Sequence, residues 1–287
     1  MNKITSLPTI AGAVLACGLS AAPAQAGPPN RTWVSGKGTD SDACALVAPC
    51  RTFAFALTQT AAGGEIDVLD PADYGTVTIT KAVSIVNDGV GVAAIGAESG
   101  NGVTINAGAS DSVHLRGLTI EGLGSGANGI LFKTGGNLAI ENCVIRDFSG
   151  TGINIAPTGS AAVTGVLSNV ITYNNPNGIN VNGTALTGSS LNVTVVNSVA
   201  SNSNVVGINA AGANTAVMVR NTVVSYSGTG LFAQMNAILR VGHSVVTGSN
   251  TGVNFATTGG TLFSYGDNDI DGNTNNNTGV LTPLAMH

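Results

Sequence analysis

Arg146 and Asp147 stand side by side in the chain, 25 and 26 residues after Glu121. An arginine beside two carboxylates has two uses. As a base, Arg146 would take a proton while Asp147 or Glu121 serves as acid or metal ligand, which requires all three within reach of one substrate. As an ion pair, Arg146 and Glu121 would face each other on the surface, worth under about 1 kcal/mol. The sequence favours the ion pair. The same column continues through Tyr173-Asn174, Ser201-Asn202 and Ser225-Tyr226, which adds Tyr173 and Tyr226 to the candidate ligand-binding residues.

A second set of candidates is made of amides. Leu131, Asn154, Asn180, Asn209, Phe232 and Asn254 recur at one outward strand position. A sugar chain is a repeating array of hydroxyls, and a repeating array of amides matches it. Ordinary solubilising surface also accounts for these side chains. Asp267, Asp269 and Asp271 with Gly272 spell the opening of a calcium loop, but Thr278 stands where the closing glutamate belongs. Calcium is therefore a minor expectation, and no other cofactor or metal is assigned.

The elements that must position these residues follow from internal repetition. Glycine followed by a branched aliphatic residue falls at Gly129-Ile130, Gly152-Ile153, Gly178-Ile179, Gly207-Ile208, Gly230-Leu231, Gly252-Val253 and Gly279-Val280, in steps of 23, 26, 29, 23, 22 and 27 residues. About ten residues earlier lies a second column: Arg116, Asn142, Asn169, Asn197, Asn221, His243 and Asn268. Two residues beyond it, Leu118, Val144, Ile171, Val199, Val223, Val245 and Ile270 are all apolar and are expected to point inward. Alternation such as Ile153-Asn154-Ile155 has the period of a strand with one buried face.

Coils of variable length with strands in register predict a right-handed parallel β-helix of roughly nine to ten coils. Equivalent residues then stack about 4.8 Å apart. Asn142, Asn169, Asn197 and Asn221 are expected to form an amide ladder at a buried turn. Residues 51–62 (RTFAFALTQTAA) place Phe53, Ala56, Leu57 and Thr60 on one face and read as a short helix capping the first coil.

Residues 1–26 read as a signal peptide, with an apolar stretch from Ile10 to Leu19 and a small-x-small site ending at Ala26. A lipoprotein site at Cys17 fits less well. Residues 27–64 are expected to hold an N-terminal strand, a loop and the capping helix, and residues 65–287 the β-helix. No segment is apolar enough to span a bilayer. In an oxidising compartment Cys44 and Cys50 would pair, and Cys143, with no histidine near it in sequence, reads as an inert thiol. Charged residues are 9% of the chain and the net charge is −5, which argues against a nucleic-acid partner. Aromatic girdles and long alternating strands are missing, which disfavours an outer-membrane barrel.

The chain resembles the pectin-lyase-like superfamily of right-handed β-helices, including secreted bacterial members of unassigned function. The resemblance runs over Cys50-Arg51-Thr52-Phe53, Gly64-Glu65-Ile66-Asp67-Val68, Tyr74-Gly75 and Ile79-Thr80-Lys81, then from Arg116 to Val280. It implies the fold and a substrate lying along a strand face, but many activities share this scaffold. The acidic clusters, paired aspartates, aspartate-histidine pairs and Arg-x-Pro-x-x-Arg stretches of its catalytic members have no match here. The expected function is an exported, monomeric, non-catalytic module that binds polysaccharide or a cell-surface glycan, secreted or periplasmic. The alternatives are a lyase or hydrolase with an unfamiliar site at Arg146, Asp147 and Glu121, and a purely structural or adhesive surface protein.

Overall fold

The computed structural model describes residues 27–285, apart from 42, 256–258 and 280. The expected signal peptide, Cys17, Val280 and His287 lie outside the described residues. None of the described helices is long and apolar enough to cross a membrane.

The chain winds into coils of three strands, each stacked parallel on its equivalent in the next coil. One coil runs through Asn137–Glu141, Val144–Arg146 and Thr151–Ile155, and the next through Val163–Ser168, Ile171–Tyr173 and Asn177–Asn182. The three strands of each coil contribute to three sheets, called first, second and third in chain order, with eleven, nine and nine strands among the described residues. About eight turns are fully built, fewer than the nine to ten expected. The last coil thins to Thr261–Ser264, Asp269–Ile270 and Asn275–Asn277.

Variation in coil length is confined mainly to the connection from third sheet to first. It takes seven residues after Ile155 but three after Ala211. The step from first sheet to second is two residues, as at Asn142-Cys143. That short turn needs a left-handed residue, and Asn142, Asn169, Asn197, Asn221 and His243 all have φ between 48° and 54°. Asparagine tolerates this conformation where most side chains do not. The column is therefore exposed, not buried as expected. Asn169 donates to Asn142 at 2.7 Å and Asn221 to Asn197 at 2.6 Å. Register also places Gly117 and Asp267 at its ends, in place of Arg116 and Asn268.

Leu118 is buried and Ile270 packs against the core as expected, but the inward positions between them are shifted. Val144, Ile171, Val199, Val223 and Val245 are only partly covered, whereas Ile145, Thr172, Ala200, Val224 and Val246 are buried. The residue right after each left-handed turn residue also points in: Cys143, Val170, Ser198, Thr222 and Ser244. Its hydroxyls form an internal ladder that satisfies backbone donors. Ser198 Oγ accepts from Val170 N at 3.1 Å, Thr222 Oγ1 from Ser198 N at 3.4 Å and Ser244 Oγ from Thr222 N at 3.2 Å.

The glycine column has a steric cause. A Cβ at Gly152 would lie 2.8 Å from the carbonyl oxygen of Gly178, and one at Gly178 would lie 2.6 Å from that of Gly207. Any larger residue would wedge successive coils apart.

The first coil is closed by the helix Phe53–Gln59, shorter than the segment expected, which buries Phe53, Ala56 and Leu57. Thr52 caps it by accepting from Phe55 N, and Asp40 accepts from Arg51 N and Thr52 N at 2.8 and 3.0 Å. The Cys44–Cys50 disulfide is formed. Its loop covers the edge strand Arg31–Val34, since Trp33 N donates to Cys44 O and Cys50 N to Trp33 O. At the opposite edge of the same sheet stands Pro283, in the strand Thr282–Pro283. Covered or proline-bearing edges resist pairing with other chains.

Candidate functional site

Glu121, Arg146, Tyr173, Ser201, Ser225 and Thr247 form one outward column of the second sheet, directly in register. Arg146 is engaged on every side. It pairs with Glu121, meets Asp147 at 3.3 Å and holds its guanidinium 5.9 Å from the Tyr173 ring centre. Burial works against its charge, but Glu121, Tyr173 and Asp147 outweigh that and hold the guanidinium above its ordinary range. The expected ion pair is present, and a cation so held is a poor proton acceptor.

Asp147 belongs to a different column from Arg146. It occupies the turn from second sheet to third with φ of 62°, followed by Asn174, Asn202 and Tyr226 with φ from 51° to 55°. Asn174 donates to Asp147 at 3.1 Å, and Asn202 bonds to Asn174 at 2.5 Å. This is a second amide ladder, hidden from sequence because an aspartate and a tyrosine interrupt it. Tyr226 is 68% exposed on this corner, and register puts Ser225, not Tyr226, in the column of Tyr173. Asn174, Asn175, Pro176, Asn202 and Asn204 line a shallow hollow of about 330 Å³ there.

The third sheet carries the amide ridge. Leu131, Asn154, Asn180, Asn209, Phe232 and Asn254 are consecutive register partners, as the repeat requires. Asn180 donates to Asn154 at 2.9 Å, Asn209 to Asn180 at 2.6 Å and Gln234 to Asn209 at 3.0 Å. Asn154 and Asn180 are half-buried, whereas Asn209 is only 8% exposed. Each ladder bond uses one N–H and one lone pair, so an amide keeps a second donor and acceptor for a ligand. Tyr173 lies on the second sheet and Tyr226 on the corner, so the structure does not place them on the ridge itself.

The aspartates of the last coil are engaged separately. Asp267 pairs with His243 Nδ1 and accepts from His243 N at 3.0 Å, and that backbone donor is the main reason its carboxyl sits below the usual range. Asp271 is lowered chiefly by the Gly272 N–H, with help from Asn276 at 3.1 Å. Among the described residues no three His, Cys, Asp or Glu side chains gather as a metal site. Cys143 is buried, and burial pushes its thiol up to about 11.

Stacked three-strand coils with amide ladders at two turns and on one face define a parallel β-helix. Residues 101–275 match the family described as "Right handed beta helix region", and the chain belongs to that family. A solved pectate lyase shares the fold with a TM-score of 0.58 at 15% identity, over 82% of this chain and 74% of the lyase. The A-module of a mannuronan C-5 epimerase from Azotobacter vinelandii is matched at a TM-score of 0.36 and 14% identity, over 78% of this chain and 91% of the module. No curated protein matches the sequence. The resemblance to pectin-lyase-like β-helices is thereby confirmed for the fold.

Proposed function

We propose that this protein is an exported module that binds a linear polysaccharide along its side without cleaving the chain. The observation that carries the reading is the in-register amide ridge of Asn154, Asn180 and Asn209, whose spacing repeats with every coil. Asn154 and Asn180 present the amide groups left over from the ladder, and buried Asn209, one coil above, fixes the rotamer of Asn180 by donating to it. The corner amides of Asn174 and Asn202, with Tyr173 and Tyr226 beside them, extend the same polar surface toward the second sheet. A glycan on the cell envelope is the partner. The Cys44–Cys50 disulfide supports an oxidising, extracytoplasmic location, with residues 1–26 as the export signal, residues 27–64 as the capped N-terminal region and residues 65–287 as the β-helix.

Backbone cleavage at Arg146 is the competing reading, and the convergence of Arg146, Glu121 and Asp147 is the observation in its favour. Their mutual pairing works against it, because proton transfer needs a free base. The test is a polysaccharide array probed with the protein, with reducing and unsaturated ends monitored on each glycan. Binding without product, weakened by Asn180→Ala, supports the module. Product formation abolished by Arg146→Ala overturns it.

A further inference from the structure

A hollow of a different kind lies elsewhere, on the outward face of the first sheet. It measures about 400 Å³ and is lined in part by Gly63, Ala82, Ser84, Ser112, His114 and Ala139. The hollow exists because Gly63, Ala82 and Ala139 have almost no side chain to fill it. Alternation turns Val83, Ile85, Val113 and Leu115 into the core and leaves Ser84 and His114 facing out. These two are direct register partners on adjacent parallel strands, so their side chains stand about 4.8 Å apart at the backbone. On the far side of His114 its register partner is Ala139, which reaches nothing, and Glu141 of the same strand comes back to place Oε2 at 3.4 Å from His114 Nε2. Arg116, the register partner of Glu141, is held by Asp88 at 2.6 Å, which leaves the Glu141 carboxylate to the imidazole. His114 Nε2 is buried with no hydrogen bond of good geometry to any protein group.

We propose that this hollow is an ester-hydrolysing site in which Ser84 is the nucleophile, His114 the general base and Glu141, with Oε2 3.4 Å from Nε2, the positioning residue for the imidazole. A serine hydroxyl is activated by an adjacent base that is oriented in turn by a third group. With Nε2–H toward Glu141, Nδ1 takes the Ser84 proton as Oγ attacks the ester carbonyl. The imidazolium then returns that proton to the departing alkoxide, which leaves as the alcohol. Water, deprotonated by His114, cleaves the acyl-serine to the free acid and restores Ser84, so no oxidant, metal or further reactant is consumed. Val166, exposed on the same face, lines the hollow with Ala82 and Ala139, and this apolar lining suits a short aliphatic acyl group. The site is separate from the amide ridge and does not depend on glycan binding.

The experiment incubates the full chain with a fluorophosphonate probe and reads the adduct by intact mass and peptide mapping, with p-nitrophenyl acetate turnover alongside. The expected result is one adduct on Ser84, lost in Ser84→Ala and slowed at least tenfold in His114→Ala, with turnover falling in parallel and Glu141→Gln intermediate. A positioned base is worth on the order of 10²- to 10⁴-fold. Ser112→Ala, in the same hollow, should label normally, and unchanged melting temperatures show that the variants fold. No adduct on the native chain, an adduct elsewhere, or labelling and turnover indifferent to Ser84→Ala or to His114→Ala would overturn the proposal.

Discussion

Asn169 donates its side-chain amide to Asn142 one coil below at 2.7 Å, while both residues hold a left-handed backbone at φ of 54°. Turn geometry and ladder are therefore separable. Asn169→Ala loses the bond and also the short polar side chain that makes a left-handed backbone tolerable, a conformation that otherwise costs about 1–2 kcal/mol. Asn169→Gly loses only the bond. Urea unfolding should rank native above Asn169→Gly and Asn169→Gly above Asn169→Ala; the reverse order for the variants would mean that the amide contact, not the backbone, decides this turn.

Thr172 and Ser203 are fully buried hydroxyls with no protein partner, both close to where a Cβ of Gly178 would stand. An unpaired buried hydroxyl costs about 1–3 kcal/mol. Thr172→Val keeps the shape and removes that cost, so the variant should unfold at higher urea concentration with the same slope. A lower midpoint would show that the hydroxyl is satisfied by an internal water.

Much of this architecture is legible in the sequence, for reasons the contacts explain. The glycine column stands out because a Cβ there collides with the next coil, and the turn asparagines stand out because few other residues accept their backbone. The inward positions were harder to place. Ser198, Thr222 and Ser244 look like surface residues in a linear reading, yet they face inward and accept backbone N–H groups. The second ladder is masked in the sequence because Asp147 and Tyr226 share its left-handed turn without sharing its side chain. The His114–Glu141 and His243–Asp267 contacts are 27 and 24 residues apart, a spacing set by loops of variable length that no motif captures.

The Cys44–Cys50 loop covers the outer strand of the first sheet, so the disulfide protects an edge as well as restraining a short loop. Chain entropy alone makes a closure of this size worth about 2 kcal/mol. The Cys44→Ser, Cys50→Ser double variant should melt lower and also self-associate on light scattering, through pairing at Arg31–Val34. A lower melting temperature with no self-association would show that the loop stays in place without its bond.

Asp70 accepts from Gly36 N at 2.6 Å and from Ser35 Oγ at 2.7 Å, which lowers its carboxyl below the ordinary value. A depressed folded value contributes stability that is complete above the unfolded value, about 3.9, and lost as pH falls through the folded one. Asp67 runs the other way, raised first by burial and then by Glu65, so its ionised form is the strained one at neutral pH. Asp70→Asn should lower the melting temperature by a few degrees at pH 7 and much less near pH 2, whereas Asp67→Asn should be neutral or stabilising at pH 7. A constant loss for Asp70→Asn across this range would contradict the assignment.

The central claim is that a polysaccharide lies along the amide ridge and leaves intact. Calorimetric titration of the best-binding glycan from the array into the native chain and into an Asn154→Ala, Asn180→Ala double variant tests it most directly. Two lost hydrogen bonds at about 0.5–1.5 kcal/mol each predict roughly tenfold weaker binding, with Arg146→Ala binding as the native chain does. Equal affinity in the double variant, or heat of glycan cleavage that Arg146→Ala abolishes, would contradict the account.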